Sequence, residues 1–172
     1  IGADSLKNLF KDRKANQSTM RAICVLDGDQ TGDLNNHIIA LPGGEPPDRM
    51  FASYLRKLIN DNSARAFWFD VQVYGYSKAT ASDILRDFDT IETSIKAIKA
   101  TGNSAKGVQR ELSKSHFNKH LEFYELVMSA WLIDPLNQTA IGKFKDQLFS
   151  AFKKTAPFYS IDSRIWTQTS VS

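Results

Sequence analysis

Apolar positions change their period along the chain, and the change divides it. In the second half, Ile84, Phe88, Ile91, Ile95 and Ile98 step by four, three, four and three, which predicts a helix with one stripe toward a core and its lysines outside. After a Gly/Asn/Ser break near residue 102, further helical stretches are predicted to about residue 114, over 118–132 and over 139–152, punctuated by Pro135 and Gly142. The first half reads differently. Residues 22–26 (AICVL) form a continuous apolar run that stops abruptly at Asp27, the pattern of a strand buried on both faces of a parallel sheet. A shorter run, 37–41 (HIIAL), ends at PGG and predicts a second strand. Apolar residues at 50, 51, 54, 55, 58 and 59 then predict a helix over 49–59. Residues 4–12 predict a short helix capped by Asp4 or Ser5, and 13–19 (RKANQST) a polar loop. The stretch 66–74 (AFWFDVQVY) fits a further strand or an aromatic cluster covering the sheet, and from residue 157 no period is visible. The order predicts an α/β domain over 1–80 followed by a helical extension over 81–172.

Composition adds bounds. A chain of 172 residues with 42% hydrophobic, 24% charged and 11% aromatic residues is long enough for a real core and excludes disorder and collagen-like repeats. No apolar run approaches the roughly 20 residues that span a bilayer. IGADSLKNLF lacks the basic start and apolar stretch of a signal peptide, so a soluble, cytoplasmic protein without a membrane partner is expected. The sequence opens at Ile1 already in a helical pattern, which suggests the C-terminal part of something longer. The single cysteine, Cys24, lies in the apolar run and reads as a buried, inert thiol.

The net charge of +3 decides little, but its distribution is informative. Between residues 94 and 120 stand Lys96, Lys99, Lys106, Arg110, Lys114 and Lys119 against one acid, Glu111. The stretch 27–48 carries five acids and no basic residue except His37. An acidic pocket and a basic surface on one chain suit a metal site that handles a polyanion; the alternative for the basic stretch is a solvated helix face.

The segment VLDGD, 25–29, carries the chemistry. An Asp placed first after a buried parallel strand points into the crevice where α/β sheets bind ligands. Asp29 can share that opening because Gly28 permits a tight turn. Two such carboxylates repel unless a hard cation, Mg²⁺ or Mn²⁺, lies between them; the alternative is that both only cap a turn. DGDQTG also matches the start of a calcium loop, but its twelfth position is Ile38 instead of Glu, and a strand rather than a helix precedes it. The string resembles as well the first motif of haloacid dehalogenase phosphatases, which implies Asp27 as nucleophile and Asp29 as general acid/base. That family also needs a later Lys and a downstream acidic pair, and no strand-end pair follows residue 80.

The order VLDGD, IIALPGG, PPD and SYL within residues 22–58 resembles the TOPRIM domain of OLD-family nucleases, the C-terminal half of ATP-binding phage-defence proteins. ADSLKNLF resembles the helix between the first two strands of that domain, and HFNKHLEFYELVMSAWLID its helical extension. The resemblance implies a Rossmann-type parallel sheet followed by an α-helical extension, and a metal-dependent, DNA-nicking endonuclease. It also implies an upstream ATPase domain as partner and assembly into homo-oligomers through the larger protein. Asp27 and Asp29 would bind Mg²⁺ or Mn²⁺, with Asp48, or less readily Glu45, as a further ligand; a helix-start role is the bland reading of both. Lys114 or His116 would neutralise the phosphate. The family's catalytic Glu would precede Ile1, and no Walker motif is present, so a non-catalytic interaction module is the rival reading. The aromatics Phe67, Trp68, Phe69, Tyr74 and Tyr76 read as core before base-stacking, Trp131 as a packing anchor, and no chemistry is assigned to His37 or His120.

Overall fold

The computed structural model describes residues 3–12, 22–102 and 106–162, and it divides into two units, Ile1–Pro46 with Gln138–Ser172, and Pro47–Asn137. The expected loop at 13–19, part of the break after residue 102 and the end of the chain from 163 lie outside the described residues.

The first unit is built on a pair of short parallel strands. Strand β1 (Cys24–Leu26) and strand β2 (Ile38–Ala40) pair in the register Cys24 to Ile38, Val25 to Ile39 and Leu26 to Ala40. Bonds from Cys24 N–H to the His37 carbonyl (2.9 Å) and from Leu41 N–H to the Leu26 carbonyl (2.9 Å) extend the ladder. The connection holds no α-helix. Asp33 caps a 3₁₀ turn, Leu34–Asn36, and exchanges both backbone hydrogen bonds with Ile38, at 2.8 and 2.9 Å, so the chain folds back tightly. Helix α1 (Ala3–Lys11) lays Ala3, Leu6 and Phe10 against Cys24, Leu26 and Ile38. A later helix, α7 (Gln138–Thr155), packs against β2 and buries Ile141 and Ala151, and a 3₁₀ turn, Ala156–Tyr159, follows it.

The second unit is helical throughout: α2 (Pro47–Asn60), α3 (Arg65–Gln72), α4 (Lys78–Ala100), α5 (Lys106–Lys119) and α6 (Leu121–Ile133). Ser77 caps α4 by accepting from Thr80 N–H at 3.1 Å. The expected stripe faces the core, with Ile84, Phe88 and Ile95 buried and Ile91 and Ile98 half-buried. Phe51, Leu55, Phe123, Val127 and Trp131 complete that core, each contributing about 1.5–3 kcal/mol by burial. The rings of Phe51, Phe117 and Tyr124 stack in series at 6.4 and 4.8 Å. Asp134, just beyond α6, accepts from the Tyr54 hydroxyl (3.1 Å) and Lys57 Nζ (2.7 Å), tying the end of α6 to α2. Burial first, then that carboxylate, pushes the Tyr54 phenol up to about 12.

The expected Rossmann-type parallel sheet is not what the chain builds. The described residues hold one sheet of two strands, and most of the remainder is helical. Two misread patterns explain the difference. Residues 66–72 belong to α3 and 73–74 to the turn after it, because the buried positions follow a helical period: Val71 is enclosed and Phe67 and Trp68 are half-buried, while Phe69, Val73 and Tyr74 lie exposed. The Trp68 indole N–H donates to the Leu58 carbonyl at 3.2 Å. The strand at 22–26 is enclosed on one face only, since Val25 is 46% exposed between buried Cys24 and Leu26. No helix among the described residues is long and apolar enough to cross a membrane.

Candidate metal site

Asp27 is the first residue after β1, and its carbonyl accepts from Gln30 N–H at 3.0 Å, closing a turn over 27–30. Gly28 is required by close approach: a Cβ there would lie 2.5 Å from the Glu45 carbonyl oxygen and 3.0 Å from that of Leu41. The turn is therefore pressed against the backbone of 41–45, where Gly43 (φ 105°) and Gly44 (φ 75°) take the left-handed conformation that glycine adopts without strain. Asp29 is oriented from α1. Its Oδ1 accepts from Gln30 Nε2 at 3.0 Å, and Gln30 Oε1 accepts from Lys7 Nζ at 2.9 Å. Asp27 and Asp29 are both exposed, just beyond the carboxyl end of the strand. Asp33 serves the connection instead. The Asn36 side-chain amide and the N–H groups of Asn35 and Asn36 hold its carboxyl below the usual range.

No protein-family model, curated protein or solved structure matches the chain. The geometry of the residues therefore carries the functional reading.

Asp48 and Lys114 belong to the second unit, and Asp27 and Asp29 to the first. Asp48 stands in the first turn of α2, where its carboxyl accepts backbone N–H groups and burial raises it above the ordinary carboxylate range. That is the helix-start role. Glu45 is exposed in the loop whose backbone is pressed against Gly28, in the same unit as the turn. Lys114 and Lys119 are exposed on α5, and Lys96 and Lys99 on α4. His116, the other candidate for phosphate contact, turns inward: its Nε2 meets the Ile84 carbonyl at 3.1 Å, and the rings of Phe88, His120 and Tyr124 surround it.

Among the described residues no three His, Cys, Asp or Glu side chains are already gathered to hold an ion. Asp27 and Asp29 thus offer two carboxylates on a fixed turn, a chemistry suited to a hard cation that keeps several waters. Sequence reasoning missed two features. The Lys7–Gln30–Asp29 relay has no local signal, since it joins residues far apart in the chain. The inward cluster of Ser113, His116, His120 and Tyr124 had one: His116 and His120 stand at i, i+4 on a helical stretch, the spacing of paired imidazole ligands.

Proposed function

We propose that the chain is part of a metal-dependent endonuclease that nicks DNA, with Asp27 and Asp29 as carboxylate ligands to Mg²⁺ or Mn²⁺. The observation that carries this reading is the turn itself, two exposed carboxylates at the end of a short parallel strand, set by a glycine that no other residue can replace without moving the facing backbone. The order of motifs shared with OLD-family nucleases supports it, as does the exposed run Lys96, Lys99, Lys114 and Lys119, a set of cations suited to a phosphate backbone. When bound, the ion would supply Lewis-acid stabilisation of the leaving oxygen and activation of water. The chain's own residues orient the ligands: Gln30 and Lys7 fix Asp29, the Gln30 N–H bond to the Asp27 carbonyl fixes the turn, and Glu45 is the candidate for a further ligand. An ATPase domain as partner belongs to the same proposal.

Mn²⁺ titration with thermal unfolding tests the site. The ion should raise the melting temperature by mass action, and the Asp27→Ala, Asp29→Ala double variant should lose that rise. An equal rise in the double variant would remove the site. Duplex DNA binding at low ionic strength should weaken steeply with salt, and Lys114→Glu should flatten the dependence.

A further inference from the structure

The first unit holds a pocket of about 430 Å³, within the size range of small-ligand sites. Both segments that meet at the Asp27–Asp29 turn help to form it. Gly32 lines the pocket and follows Asp29 by three residues, so it lies within about 11 Å of that residue. Leu41, whose carbonyl oxygen approaches Gly28, lines it too, together with Pro42. A side chain at position 32 would come within 3.0 Å of the Ile38 carbonyl oxygen, so that part of the wall is bare backbone. The rest comes from α7, where Ala140, Lys143, Phe144 and Gln147 stand at i, i+3, i+4 and i+7 and share one helix face.

This helix face has groups to spare. Among the described residues, the half-buried Phe144 ring meets no other ring, the exposed Lys143 forms no ion pair, and the Gln147 amide has no hydrogen-bond partner. Lys143 is also the one charged side chain among the described residues that line the pocket. A ring with an open face, a free cation and a free amide beside an apolar wall match the three parts of an unpaired nucleotide: the base plane, the phosphate and the base edge. We infer that the pocket takes one unpaired nucleotide of a DNA strand, with its base stacked on Phe144, its phosphate paired with Lys143 and its base edge bonded to Gln147. The choice of DNA rests on the nuclease reading of Asp27 and Asp29, and the shared residues bring the adjoining phosphodiester of the same strand toward that turn. The preferred substrate is therefore DNA with an unpaired base, as in a single strand or an underwound duplex.

The test mixes the full chain, in EDTA, with an end-labelled oligothymidylate carrying a single 2-aminopurine, and follows both anisotropy and 2-aminopurine fluorescence. Saturable binding with quenching of the 2-aminopurine is expected. Phe144→Ala should weaken binding by about five- to a hundredfold and remove the quenching, and Phe144→Trp should retain both. Lys143→Gln, at an exposed position, should lower the salt dependence by about one phosphate contact. Wild type that leaves 2-aminopurine unquenched, or quenching that persists in Phe144→Ala, would overturn the inference. Free dAMP competing as well as the oligonucleotide would overturn it too, by marking a pocket for a free nucleotide. The Mn²⁺-induced rise in melting temperature is read in parallel and separates the two proposals. A rise with quenching indifferent to Phe144 keeps the metal site and removes the nucleotide pocket, whereas Phe144-dependent quenching without a rise keeps the pocket and removes the metal site.

Discussion

The two units differ in how their polar groups meet solvent: the first exposes its carboxylates and the second encloses its imidazoles. In the first, a pair of three-residue strands supports Asp27 and Asp29, and both carboxylates stay in water. In the second, helices enclose Ser113, His116 and Tyr124, and half-bury His120. The difference follows from the cost of desolvation. A carboxylate resists leaving water while it is charged, whereas an imidazole can shed its proton and be buried neutral. Burial lowers the proton affinity of both His116 and His120, and the charge of a neighbour lowers it further, His120 for the former and Lys119 for the latter. A small sheet is thus sufficient to present carboxylates, while imidazoles can sit inside a helical core.

Substitutions sharpen this contrast. The largest effect is expected in the helical core, where Phe123→Ala should cost about 3–5 kcal/mol in denaturant unfolding, because the ring is fully enclosed and meets Tyr76 at 4.7 Å. A loss below about 1 kcal/mol would contradict that enclosure. In the first unit, Gly28→Ala should cost about 1–3 kcal/mol, since the new Cβ forces the 41–45 backbone aside. It should also weaken the Mn²⁺ response. A cost-free variant with an unchanged Mn²⁺ response would mean that the turn is not held by that contact.

Two phenols should move in opposite directions. Tyr54→Phe removes a hydroxyl bonded to Asp134 and should lose about 1 kcal/mol, while Tyr124→Phe removes a buried hydroxyl without a partner and should gain up to about 1 kcal/mol. Equal losses in the two would mean that Tyr124 has a partner after all. The smallest expected effect is a pH dependence. With both histidines below their ordinary value of 6.5, the unfolded chain binds more protons than the folded one as pH falls through that value. Stability is then full above about pH 6.5 and declines on acidification, and His120→Gln should flatten the decline. A steeper decline in the variant would reverse the sign of the assignment.

Much of the helical half was legible because its period is long and repeated. Ile84, Phe88 and Ile95 mark one face over several turns, and that face is the buried one. The short strands were legible too, since AICVL and HIIAL end at Asp27 and at Pro42. The extent of the sheet was not. A short aromatic run such as AFWFDVQVY has no length with which to separate the two periods, and only the packing of Val71 and the Trp68 bond to Leu58 select the helix. One exposed residue, Val25, distinguishes a strand covered on one face from one buried on both, and exposure is a property of the whole unit. At the site, the turn could be read from DGD alone. The contact of Gly28 with 41–45 and the relay through Gln30 to Lys7 depend on chain segments meeting in space.

Nicking of supercoiled plasmid DNA by the product of the whole gene in Mn²⁺, beside its Asp27→Asn variant, tests the central claim most directly. Mn²⁺-dependent nicking by the wild type that is lost in Asp27→Asn, with no hydrolysis of a generic aryl phosphate by either protein, is the predicted result. Nicking that persists in Asp27→Asn, or aryl phosphate turnover that disappears in it, would contradict the assignment of Asp27 as a ligand in a nuclease site.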